Sequence, residues 1–124
     1  MKFTAIYVEP TQNPLITNML FADPETNPDE PAVLSFSRAV EFEDSSYYFE
    51  INDQSYGSYG GLEVVELSRN TVVIRLDAGL VAEFGNDDFA EVEVAFEVDD
   101  EMYQAVLSAM KAIFATADIL VLVG

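Results

Sequence analysis

Four oxygen-bearing side chains, Asp23, Glu25, Asn27 and Asp29, alternate at the spacing with which a calcium loop presents its ligands. Such a loop needs glycine at its sixth position and a bidentate acid at its twelfth. Pro28 and Leu34 stand there instead. Asn86, Asp87 and Asp88 make a second oxygen-rich turn, and both read first as solvated acidic loops. With no histidine and no cysteine, the chain lacks the usual transition-metal ligands, the usual general base and the thiol nucleophile. Its only lysines are Lys2, at the terminus, and Lys111, on the polar face of a predicted helix. A carboxylate pair could in principle hydrolyse a glycoside, but among 23 acids some pair always looks well spaced. No GxGxxG or P-loop pattern occurs, and Gly57, Gly60 and Gly61 precede a strand rather than the helix that a phosphate loop requires. These residues predict no enzyme and no cofactor.

Recognition chemistry is better represented. Tyr47, Tyr48, Tyr56 and Tyr59 fall in a short span that also carries Glu41, Glu43, Asp44, Glu50 and Asp53. Tyrosine anchors an interface at little entropic cost, and carboxylates around it steer a basic partner. Tyr47 reads as an ordinary sheet residue, whereas Tyr56 and Tyr59 lie between glycines in an expected loop. The charge points the same way: 23 acids against 5 bases give a formal net charge of −18. Nucleic acid and anionic membranes would be repelled, since binding phosphate needs clustered lysine and arginine. A basic protein, a cation, or a merely solvated acidic surface remain.

The elements that must position these residues follow from periodicity. The 124 residues, half of them hydrophobic, suit one domain. The start lacks a secretory pattern and no stretch is long enough for a bilayer, so a soluble cytoplasmic protein is expected. At the centre, residues 56–76 predict a hairpin: a turn over Gly57 to Gly61 launches strands at Leu62 to Ser68 and Thr71 to Leu76, separated by Arg69 and a left-handed Asn70. Lys2 to Val8 predicts a strand inside the sheet, because both its faces are apolar. From Glu9 to Pro31 five prolines should break any long element, leaving a helical turn or two at Leu15 to Phe21 pinned by Leu15, Met19 and Leu20. Further strands are expected at Ala32 to Ser37, Ser46 to Asn52 and Phe89 to Val98, with an acidic bend at Glu41 to Asp44. Asp77 should cap a short helix that stops at Gly85, with Leu80, Val81 and Phe84 inward. Asp99, Asp100 and Glu101 should open a long helix running to about Thr116. Ile119 to Val123 predicts a last, uncharged strand that, at an edge, could pair with a second copy to form a homodimer. The fold class is α+β: a single domain over residues 1–124, with a mostly antiparallel sheet covered by the long C-terminal helix.

Three segments carry a resemblance. YYFEINDQ at Tyr47 to Gln54, YGGLEVVELSRNTVVIRL at Tyr59 to Leu76, and AEVEVAFEVDDEMYQAVLSAMKAIF at Ala90 to Phe114 resemble the immunity protein 10 family of bacterial polymorphic toxin systems. The likeness covers about 47–114 and leaves out the proline-rich stretch and the apolar tail. It implies an α+β protein that binds and neutralises a cognate toxin by occlusion, without chemistry of its own; a basic toxin would suit the acidic surface. The matching pattern touches Tyr48, Glu50, Asp53, Gln54, Tyr59, Gly60, Gly61 and Glu63. The partner-binding expectation is therefore Tyr48, Glu50, Asp53, Tyr56, Tyr59 and Glu63. Two other classes stay open: an acidic nucleic-acid mimic, which would bind many basic proteins in a salt-sensitive way, and a calcium-stabilised module.

Overall fold

A computed structural model describes residues 1–40 and 46–124 of the chain. In chain order the strands of the first half are β1 (Lys2–Thr4), β2 (Tyr7–Gln12), β3 (Ile16–Asp23), β4 (Ala32–Ala39), β5 (Tyr48–Ile51) and β6 (Asp53–Tyr59). The second half contributes β7 (Leu62–Leu67), β8 (Thr71–Leu76), helix α1 (Ala78–Phe84), a 3-10 turn (Asp87–Phe89), β9 (Glu91–Ala95), helix α2 (Asp100–Ile113) and β10 (Leu120–Leu122). The fold class is α+β, as expected, but there are two five-stranded sheets rather than one. The first has the order β1-β9-β8-β7-β10; the second is a meander, β2-β3-β4-β5-β6. Pairing is antiparallel apart from β1 with β9 and β10 with β7.

The single strand expected over Lys2 to Val8 is divided because the chain changes sheets there. Ala5 N–H still bonds Ala95 O at 2.8 Å in the first sheet, whereas Ile6 N–H bonds Ala22 O at 2.9 Å in the second. Both resulting strands lie at edges, not in a sheet interior. The prolines likewise act differently from the expectation. Pro10 sits in β2, an edge strand where a missing N–H is tolerated. Pro14 lies in the β2–β3 turn, which Asn13 Oδ1 closes by accepting from Leu15 and Ile16 N–H, both at 2.9 Å. Pro24, Pro28 and Pro31 fall in the β3–β4 connection. Between these turns Leu15 to Phe21 is not helical: Ile16 onward is strand β3, with Met19 and Phe21 fully buried and Leu15 left in solvent.

The central hairpin is present, with β8 in the middle of the first sheet and Ser68 N–H bonding Thr71 O at 2.9 Å across the turn. Asn70 is not left-handed; among the described residues the one non-glycine at positive φ is Asn52 (φ 64°), between β5 and β6. Arg69 has a different use. Its Nη2 donates to Val98 O at 2.8 Å and to Asp100 at 3.1 Å, and its guanidinium lies 4.7 Å over the Tyr103 ring, tying the hairpin to the start of α2. Asp77 caps α1 by accepting from Leu80 N–H at 2.7 Å, and Gly85 ends it at φ 67°, both as expected. Phe89 belongs to the 3-10 turn, so β9 is shorter than the strand expected over Phe89 to Val98, though Phe96 remains buried beyond its end.

One contiguous core holds the two sheets together. It takes Met19, Phe21, Leu34, Phe36, Phe49 and Ile51 from the second sheet and Val65, Leu67, Val72, Ile74, Val92 and Val94 from the first. Asp99 caps α2 through Met102 N–H at 2.8 Å, and the buried face of α2 (Val106, Ala109, Met110 and Ile113) lies against β2, β3 and β4. The long helix therefore packs on the second sheet, over β2, β3 and β4. Just after it, Phe114 meets Phe36 at 5.4 Å and Tyr47 at 5.0 Å between ring centres. The chain ends with β10 at the open edge of the first sheet, where Val121, Leu122 and Val123 are about half exposed.

Candidate functional site

Strands β5 and β6 pair so that Tyr48 stands opposite Tyr59 and Glu50 opposite Gly57. Phe49 and Ile51 are fully buried, so alternation sends Tyr48 and Glu50 to the outer face of the second sheet. There the Tyr48 and Tyr59 rings lie 4.8 Å apart, tilted by 48°. Tyr48 Oη donates to Glu50 Oε1 at 2.8 Å. Gly57 makes this possible: a Cβ built there would sit 2.2 Å from Tyr48 Oη, so the ring rests on bare strand backbone. Desolvation beneath that ring, then the bond to Glu50 and its charge, push the Tyr48 phenol above its ordinary pKa. Tyr59 is 76% exposed, the most open large apolar side chain of the described residues. An aromatic pair with its own carboxylate is held in place by register, on a face that no helix covers among the described residues.

The other expected residues are distributed differently. Gly57 to Tyr59 belong to β6, and the turn expected over Gly57 to Gly61 contracts to Gly60 and Gly61, both at positive φ. Gly61 also passes so close to α1 that an added Cβ would lie 2.6 Å from Leu80 Cδ2. Tyr56 points inward, its ring edge-on to Phe84 at 5.7 Å and to Phe89 at 4.8 Å. Asp53 caps its own turn, accepting from Ser55 N–H at 2.7 Å. Together Asp53 and Tyr56 line an open groove of about 950 Å³, away from the outer pair, that also includes Asp29, Glu30 and Asp88. Glu63 is exposed on β7, in the other sheet. Gln54 is exposed on β6. Glu41, Glu43 and Asp44 lie outside the described residues.

Tyr47, read from the sequence as a sheet residue, supports the site from behind. It is buried, and its Oη accepts from Leu62 N–H at 3.0 Å, joining the second sheet to the start of β7 in the first. Burial pushes this phenol above its ordinary pKa; the Leu62 bond pulls down and the charge of Asp77 pushes up again. A pKa raised in the folded state means the contribution is complete below the unfolded value, about 10, and is lost as pH rises through the folded one. Melting temperature should fall as pH rises above about 10 in a Tyr47-dependent way. The Tyr47→Phe variant should lack that part of the alkaline loss but start about 1–3 kcal/mol less stable, because the Leu62 N–H has lost its acceptor. Parallel alkaline melting curves for the two proteins would contradict this.

The acidic loop after β3 is occupied by its own backbone. Asp23 Oδ1 accepts from Glu25 and Thr26 N–H, both at 3.1 Å, and hydrogen bonding from Thr26 holds its carboxyl below the usual value. Among the described residues no group of three or more acids could hold a metal ion. Asn86 serves as the cap of the 3-10 turn, accepting from Asp88 N–H at 3.1 Å.

The fold and this face define a small, acidic, two-sheet α+β domain that displays an exposed aromatic pair on the outer side of one sheet. Residues 4–104 match the family described as Immunity protein 10, and the chain belongs to that family. The match runs from the end of β1 into the first turn of α2, so it includes the proline-rich stretch that the resemblance over 47–114 left out. No curated protein and no solved structure matches the chain. No helix among the described residues is long and apolar enough to cross a membrane.

Proposed function

We propose that this immunity protein works in the cytoplasm by binding a cognate toxin, basic in character, and occluding its functional surface, with no turnover of its own. The contact face in this reading is the outer side of β5 and β6, with Tyr48, Glu50 and Tyr59 at its centre. The exposed tyrosine pair carries the proposal. A ring that could have been buried is held in solvent against a second ring, at the cost of leaving apolar surface wet. Tyr56 braces the back of the same strand, while Asp53, in the groove away from the pair, and Glu63, on the other sheet, contribute charge that speeds encounter.

The direct test pairs the purified protein with the toxin encoded beside it. Stoichiometric protein should co-purify with the toxin domain and abolish its activity; a toxin that stays fully active would sink the proposal. A homodimer through β10 is a separate proposal. It would show as concentration-dependent sedimentation that Val121→Lys removes, since a charge on an edge strand blocks pairing.

A further inference from the structure

The five basic residues of this chain are all placed away from the tyrosine pair. Lys2 and Arg75 pair with Glu93 and Glu66 on the outer face of the first sheet, at 3.6 and 3.3 Å. Arg69 is engaged beneath the hairpin, Arg38 Nη1 donates to Ala112 O of α2 at 3.2 Å, and Lys111 is exposed on α2. By register, the outer face of the second sheet places Ser37 and Ser35 beside Tyr48 and Glu50, then Asn18 and Leu20 on β3, with Glu9 beyond Leu20. Among the described residues it carries two carboxylates, Glu9 and Glu50, and no cation. A positive group arriving here meets no repulsion from the sheet it lands on.

From this geometry we infer that Tyr48, Tyr59 and Glu50 form a receptor for one arginine side chain of the toxin; the inference rests on the function proposed above. A guanidinium is flat, weakly hydrated, and can stack on an aromatic face while its N–H groups reach a carboxylate in the plane. The two rings are in contact with each other, 4.8 Å between centres at a tilt of 48°, and the exposed Tyr59 ring supplies an open stacking face. Glu50 follows two residues along β5 on the same outer face, opposite Gly57. Tyr48 Oη engages Oε1, which orients the carboxylate, and an ionised carboxylate has about four acceptor positions, so capacity remains for guanidinium N–H groups. Lysine fits less well, since a compact, strongly hydrated ammonium gains less from the ring face.

The receptor can be tested without the toxin. The aromatic carbon–proton NMR spectrum of the intact protein would be followed during titration with a capped peptide carrying two arginines, then with the same peptide carrying lysine or neutral citrulline. The Tyr48 and Tyr59 ring signals should move with the arginine peptide, at an affinity about two- to fivefold above that of the citrulline peptide. Glu50→Gln and Tyr59→Leu, both at solvent-accessible positions, should each remove that difference. Equal binding of the arginine and citrulline peptides would overturn the inference. So would shifts scattered over other acidic surfaces with Tyr48 and Tyr59 silent. Toxin capture by a Tyr48→Ala, Tyr59→Ala double variant is measured separately. Capture lost without peptide discrimination would keep the recognition face and reject the arginine receptor. Discrimination with capture unchanged would keep the receptor and reject this face as the toxin contact.

Discussion

Cutting Phe21 back to alanine should lower the free energy of unfolding by about 3–5 kcal/mol, enough to unfold a marginal domain at physiological temperature. Phe21 is fully buried in β3, near the middle of the second sheet, and its ring lies 5.3 Å from that of Phe96, just beyond β9 of the first. The substitution removes one half of a contact that holds the two sheets face to face, and close-packed neighbours can fill only part of the hole. Urea denaturation should show a lower midpoint with an unchanged slope, since the surface exposed on unfolding is nearly the same. The neighbouring Leu15→Ala is the control. Leu15 is 65% exposed, so its loss should change stability by no more than about 0.5 kcal/mol. A helical segment pinned by Leu15 and Met19 would give comparable losses at both positions; equal costs for Leu15→Ala and Met19→Ala would therefore contradict the strand.

That contrast also shows where the sequence was readable. Elements whose evidence is local were legible. The alternation of Val72, Ile74 and Leu76, the Asp77 and Gly85 caps of α1, and the acidic start of α2 each depend on neighbours a few residues away. At β3, a leucine and a methionine four residues apart imitated a helical face, although Thr17, Met19, Phe21 and Asp23 are buried at period two, with Ala22 buried beside them. Two of those four are polar, so hydropathy alone hides the alternation. The split of the N-terminal strand and the parallel pairing of β1 with β9 are decided by segments about ninety residues apart in the chain, which no window contains. Around the exposed tyrosine pair, tyrosine content located the rings but not the faces they take. Tyr56 and Tyr59 are three residues apart, odd in a strand, so one faces the core and the other solvent. Gly57 looked like a turn residue; its use as a bare seat for the Tyr48 ring depends on pairing with Glu50.

Removing both rings of the outer pair should weaken toxin binding by about 2–4 kcal/mol, a loss of roughly thirty- to a thousandfold in affinity. Tyr59→Ala alone should cost more than about 1 kcal/mol, and the two single changes should not sum to the double, because each ring rests on the other. Folding should be nearly untouched: Tyr59 is 76% exposed, and Tyr48 packs onto strand surface outside the core. Gly57→Ala provides the sharper measurement. Its new Cβ would fall 2.2 Å from Tyr48 Oη and 2.9 Å from Cζ, a conflict with the movable end of a side chain, so the ring can swing aside while the strand stays. Binding to the toxin, measured by calorimetry, should drop toward the Tyr48→Ala value although both tyrosines and every charge are still present. If Gly57→Ala binds as tightly as the unaltered protein, the arrangement of the rings is not what grips the toxin. If the double variant also binds unchanged, the toxin sits elsewhere, and the groove lined by Asp53, Tyr56 and Asp88 becomes the next surface to alter.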